Sequence, residues 1–263
     1  KCIVKKMALF SSPLLFIFLL NYIVDPFCIN KRVQIPLDKK EIACYFNERL
    51  WKLNTFLQNP QPSVILGDSR STRFSEEDLF NLTGKQFSNL SLSGGTLPEI
   101  VDTFWFVVEH SIPQEITLCI NFDRFNDWQK ANGVHDAITT IHNPLLHYLQ
   151  PQTCKTMFSL LIHNFFKKKV VSQQPPVDRH TFWHYQLDEI DTGYQRYVFP
   201  TYGSRQLSFI ADYCKKHRIA LSFIIFPTHV DLQHRIDVAN MRNQEKSFKQ
   251  FLASLAPVHD FDT

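Results

Sequence analysis

An apolar run from Ser63 to Leu66 breaks into Gly67, Asp68 and Ser69, with Arg70 and Arg73 close behind. A serine on a tight turn out of a strand projects its hydroxyl past the backbone. The N–H groups that follow can hold a developing oxyanion, which suits acyl chemistry. The competing reading is an Asp or Ser turn that caps a helix. Either way, Arg70 and Arg73 are expected to pair with Glu76 and Glu77 on the surface.

Acyl chemistry needs a second donor and a base. Gly94, in the Gly94-Gly95 pair after a second apolar stretch, permits close backbone approach and offers its N–H. The base must be a neutral histidine whose other nitrogen is oriented by a carboxylate. His229, with Asp231 two residues on, follows a late apolar stretch and is the candidate. His135, His142, His147, His163, His180 and His184 stand elsewhere, in no metal-like spacing, and the His180/His184 pair has no Glu between its members. No metal or other cofactor is expected. A phosphoesterase built on Asp68 and His229 lacks a coordinating set.

These residues need a frame. Apolar stretches at 64–67, 87–93, 115–121, 220–226 and 257–261 alternate with amphipathic ones. The pattern predicts an α/β fold with an open, mostly parallel five-stranded sheet flanked by helices. Its C-terminal strand ends would gather Gly67–Ser69, Gly94-Gly95, Asp123-Arg124 with Asn126, and Thr228–Asp231 on one edge. A helix is expected from Asp38, where Asp38 and Glu41 form a capping box ahead of the face Ile42, Phe46, Leu50, Leu53 and Leu57. Thr96 and Glu99 form a second box, and one helix is expected over 239–255. Residues 126–204 interrupt the rhythm as an insertion, with helices near 144–149 and 155–167, a basic patch at 167–170 and a Gln, Pro and aromatic stretch at 173–185. Trp183 and Tyr185 in it would line a sugar site or join a core.

The N-terminus adds an address. Lys1, Lys5 and Lys6 precede an uncharged run, residues 7–24, that approaches the length of a bilayer span and lacks a small-residue cleavage site. Asp25 and Pro26 would end that helix. Residues 1–30 therefore read as a short cytoplasmic segment and an uncleaved signal anchor, and 31–263 as the α/β domain, placed on the extracytoplasmic side by the leading lysines. Six cysteines form no C-x-x-C pair; Cys28 with Cys44 is a possible bridge, and Cys119 reads as a small core residue. The 28 basic and 25 acidic residues are balanced, with no basic stripe interleaved with aromatics, so no nucleic-acid partner is expected.

With these residues in view, the chain resembles the SGNH, or GDSL, hydrolase superfamily. Ile65–Ser69 resembles its first block, and Asn89–Gly95 its second, whose glycine N–H belongs to the oxyanion hole. Asn21–Pro26 and Pro227-Thr228-His229 are similar to segments of membrane-anchored cell-envelope members. The resemblance runs from about residue 21 to the end, outside 130–200. It implies a three-layer, flavodoxin-like fold and the acylation or deacylation of envelope carbohydrate beside other envelope-modification membrane proteins. Two departures stand out. Asp123 occupies the place of the family's oxyanion Asn, so it is a site position with an altered role, such as pairing with Arg124. The family's Asp-x-x-His block, expected after the fifth strand, is missing before Thr263. The base is then His229, a residue in a tail beyond Thr263, or absent. Two functions follow: a serine esterase or O-acyltransferase, or a non-catalytic binding protein of an envelope polysaccharide system.

Overall fold

The structure, a computed structural model, describes residues 2–30, 35–167 and 178–262. The chain begins with α1 (Cys2–Val24) and α2 (Lys40–Gln58). Then come β1 (Ser63–Gly67), α3 (Glu76–Thr83), β2 (Phe87–Asn89), α4 (Leu97–His110) and β3 (Glu115–Cys119). Four helices follow: α5 (Gly133–His142), α6 (Pro144–His147), α7 (Pro151–Phe166) and α8 (Arg179–Gln195). The chain continues through α9 (Thr201–His217), β4 (Ala220–Ile225), α10 (Val230–Val238), α11 (Arg242–Leu255) and β5 (Val258–Asp260). It divides into two compact units, Lys1–Asn59 with His135–Gln173, and Pro60–Val134 with Gln174–Thr263.

The second unit carries the sheet. Its five strands run parallel in the order β2-β1-β3-β4-β5, so the expected α/β class holds. That order places the chain's change of direction between β1 and β3, where open sheets of this kind form their crevice. Val64 and Ile116, Cα partners in the register, are fully buried together with Leu66, Leu118 and Phe223. Phe104 and Val107 of α4, Leu207 and Ile210 of α9, and Phe248 and Leu252 of α11 are buried as well. Each such side chain stabilises the fold by about 2 kcal/mol relative to exposure. α4 starts as predicted: Thr96 accepts from Glu99 N–H, and the Glu99 carboxylate accepts from Thr96 N–H at 3.1 Å.

The first unit joins α1 and α2 to α7 around Val24, Ile42, Met157 and Leu160. α1 ends at Asp25, which adopts a positive φ of 44° and takes the N–H groups of Ile29 and Asn30 on its carboxylate at 2.9 and 2.8 Å. Asn21 is fully buried in an apolar helix because its amide donates to the Tyr148 carbonyl at 2.7 Å. Among the described residues no helix is long and apolar enough to cross a membrane, so the anchor expected over 7–24 has no support from the fold itself.

Several local expectations are corrected. The Asp38 capping box does not form: α2 starts at Lys40 without a side-chain cap, and Asp38 instead exchanges two backbone bonds with the Asn164 side chain. The helix expected over 239–255 is present as α11 but starts later, at Arg242, because Asn240 turns left-handed at φ 56° and separates it from α10, which was not expected. β2 stops at Asn89, and 90–95 form a loop. Cys28 and Cys44 are free thiols, whereas Cys119 is a buried core residue as expected. The basic residues 168–170 and the stretch 173–177 lie outside the described residues.

Candidate functional site

β1 delivers Gly67 to a spot that has no room for a side chain. A Cβ there would meet Ser71 Oγ at 2.3 Å and the Cys119 carbonyl at 2.9 Å. The chain then turns: Asp68 is buried, and Ser69 is exposed with its hydroxyl in no hydrogen bond among the described residues. The second loop packs directly on this turn. A Cβ on Gly95 would lie 2.9 Å from the Gly67 carbonyl and 3.3 Å from Asp68 Cα. Gly94 beside it is exposed with a left-handed φ of 64°. Backbone contact thus brings Ser69 and Gly94 to neighbouring turns, as an oxyanion site built from their N–H groups requires.

The crevice between β1 and β3 is lined by fixed charge. Asp68 accepts from Arg70 N–H at 2.9 Å and from Arg70 Nη1 at 3.1 Å. Arg70 Nη2 donates to Asp123 at 3.0 Å, and Arg124 Nε lies 3.3 Å from Asp123 and 3.5 Å from Asp68. Burial alone would raise the Asp123 pKa, but Arg70 first and Arg124 second outweigh it, and the carboxyl sits below its usual range. Burial likewise opposes the charge on Arg70, yet Asp123 and then Asp68 raise its pKa. Asp123 and Arg70 therefore stay ionised near neutrality. The expected pairing of Asp123 with Arg124 is present. The expected pairing of Arg70 with Glu76 or Glu77 is not: Arg70 turns inward to the two aspartates, while Glu76 accepts from Asn89 N–H. Desolvation favours this, because a buried carboxylate without a cation would be far costlier than an exposed one.

Neither nearby asparagine takes the place that the family resemblance expects of an oxyanion amide. Asn121 donates to the Phe226 carbonyl at 2.8 Å and accepts from Phe226 N–H at 3.1 Å. Asn126 donates to the Gly193 carbonyl at 2.9 Å and accepts from Trp128 and Val198 N–H. Both amides are committed to bracing the strand ends and the loops around them.

His229 sits at the start of α10, more than half exposed. Its Nδ1 accepts from Asp231 N–H at 3.2 Å and lies 3.3 Å from the Asp231 carboxylate, which also takes the Trp183 indole N–H at 2.7 Å. Trp183 meets the His229 ring edge to face at 4.8 Å. While Nδ1 accepts, the neutral ring carries its proton on Nε2. That is the wrong tautomer for taking one from a serine. The base-competent form instead donates Nδ1–H to Asp231 and gives up the cap.

One participant escaped sequence reasoning. Asp262 accepts from Thr228 N–H at 2.9 Å, Thr228 Oγ1 at 2.7 Å and Gln233 at 2.9 Å, fixing the loop that bears His229. Lys249 holds the same segment through the Asp262 carbonyl and the Asp260 carboxylate. Its only signal in the sequence was an acidic residue just past the last apolar stretch. A separate pocket of about 290 Å³, bounded by Pro62, Ser63, Gly84 and Gln114, lies at the opposite end of β1 and β3. Its Lys85 and Glu115 pair at 2.7 Å, and it offers no reactive group. Among known proteins, no family model and no curated sequence matches the chain.

Proposed function

We propose that the second unit is a serine-dependent esterase or O-acyltransferase of the SGNH type, acting on acyl esters of envelope carbohydrate. The observation that carries this reading is the contact of Gly95 with Gly67 and Asp68, which joins the exposed Ser69 to the Gly94 turn. Ser69 Oγ attacks the ester carbonyl and its proton passes to His229 Nε2. The N–H groups of Ser69 and Gly94 receive the oxyanion. Collapse expels the alcohol, which takes the proton from the histidine and leaves acyl-Ser69. Water then yields the acid, or a sugar hydroxyl takes the acyl group. Residues 7–24 anchor the protein in the membrane, with the catalytic unit on the extracytoplasmic side beside envelope-modification membrane proteins.

A second reading has its own support. The Nδ1 cap on His229 and the paired carboxylate at Asp123 suit a sheet domain that binds polysaccharide without turning it over. A serine-reactive phosphonate separates the two. Mass spectrometry should find the adduct on Ser69 of the folded, full chain. An unmodified Ser69 at saturating reagent would overturn the esterase reading and leave the binding protein.

A further inference from the structure

The turn at residues 144–149 bears an apolar surface that the sheet chemistry does not use. Leu145 and Leu146 are each 67% exposed and Leu149 is 49% exposed. Between Asp136 and Lys155 the chain has no Asp, Glu, Lys or Arg, and His147 within the turn is buried. Three adjacent leucines facing outward without a charge among them are unusual on a surface bathed in water.

The contacts of Tyr148 say what surrounds them. Its ring meets Phe18 at 5.8 Å and Tyr22 at 5.5 Å, both edge to face. Its carbonyl receives the Asn21 amide, and Cys154 Sγ lies 3.2 Å from the same nitrogen. The turn is therefore docked along the last two turns of α1, not beyond its end. Phe18 precedes Val24 by six residues, a rise of about 9 Å along a helix. Leu19 and Ile23 on α1 are themselves 45% exposed. Leu145, Leu146 and Leu149 flank Tyr148, which docks on the part of α1 that bears those two residues.

We infer that residues 144–149 form a second membrane contact, lying in the lipid interface beside α1. This rests on the reading of residues 7–24 as an anchor. The occupant is lipid rather than protein, because the turn continues the uncharged surface of α1. It also supplies an acceptor for the Asn21 amide N–H at that depth. Tyr22 and Tyr148 then take the place that amphipathic aromatic rings hold at a bilayer boundary. Lys155, in the first part of α7 after this turn, is exposed and suited to anionic headgroups.

Photocrosslinking of the full chain in phosphatidylethanolamine–phosphatidylglycerol vesicles tests it. Benzoylphenylalanine is placed at Leu146, at Leu15 as the anchor control, and at Ile112, an exposed residue of the sheet unit, as the aqueous control. Lipid adducts at Leu146 and Leu15, with none at Ile112, are expected. Adducts at Leu15 alone would overturn the inference and leave the anchor standing. No adduct at either position would remove both, and adducts at all three would reduce the contact to general adhesion. As a second measurement, the doubly substituted Leu145→Glu, Leu146→Glu chain should melt at the same temperature as the parent yet bind these vesicles more weakly. Unchanged binding would overturn the inference.

Discussion

At the ends of β1 and β3, Asp68, Arg70, Asp123 and Arg124 neutralise one another in a largely buried cluster, whereas at the ends of β4 and β5 the Asp262 carboxylate bonds Thr228 and Gln233 and His229 faces solvent. The first edge holds paired charges, and these fix the shape of the turn that carries Ser69. The second edge holds His229, an exposed ring beside the Asp231 carboxylate. Proton transfer needs a mobile proton and a fixed frame. On the proposed esterase reading, the sheet keeps these on separate strand pairs.

Substitutions at each edge should therefore fail in different ways. The largest effect falls on the first edge. Ser69→Ala is predicted to cut ester turnover on the order of 10⁴-fold or more and abolish the phosphonate adduct, with an unchanged melt. His229→Asn comes next. Asn caps helices as well as any residue, so stability should hold while turnover drops about 10²–10⁴-fold. Equal turnover would remove His229 as the base and leave it a cap alone.

Asp123→Asn would supply the amide that the SGNH resemblance expects at this place, and it should still harm the protein. It leaves Arg70 and Arg124 short of a carboxylate, at a cost of about 3 kcal/mol in urea unfolding. Its pH dependence has a definite sign. The folded Asp123 pKa is depressed, so its stabilisation is complete above the ordinary carboxylate value of about 3.9 and is lost as pH falls through the lower folded value. The gap between wild type and Asp123→Asn should thus be constant at neutral pH and close only below about pH 4. A gap that closes between pH 6 and 7 would break the contrast between the two edges. Asn121→Leu has the smallest effect, about 2 kcal/mol in the same titration, because it orphans both backbone groups of Phe226.

The parts legible in the sequence were those set by neighbours along the chain. β1, β3 and β4 announce themselves as apolar runs, and Thr96 with Glu99 specifies the start of α4 within four residues. The Asp38 box has the same local pattern and fails, because Asn164 bonds Asp38 first; that competitor lies 126 residues away. Distance also hid the site's electrostatics. Arg70 stands beside Ser69, and nothing local reveals that its second partner is Asp123, 53 residues on. The break after α10 was readable in principle, since Asn240 is a residue type that tolerates a left-handed turn. Asp262 was not, because its partners Thr228 and Gln233 come from another strand end.

The meeting of Gly67 and Gly95 has a consequence for how such a protein would change over generations. Each glycine closes on backbone, so no substitution at either can be absorbed by a neighbouring side chain shifting aside. The pairing of the Ser69 turn with the Gly94 turn is thereby the part of this edge least open to substitution, whereas the exposed His229 position is far less constrained by packing.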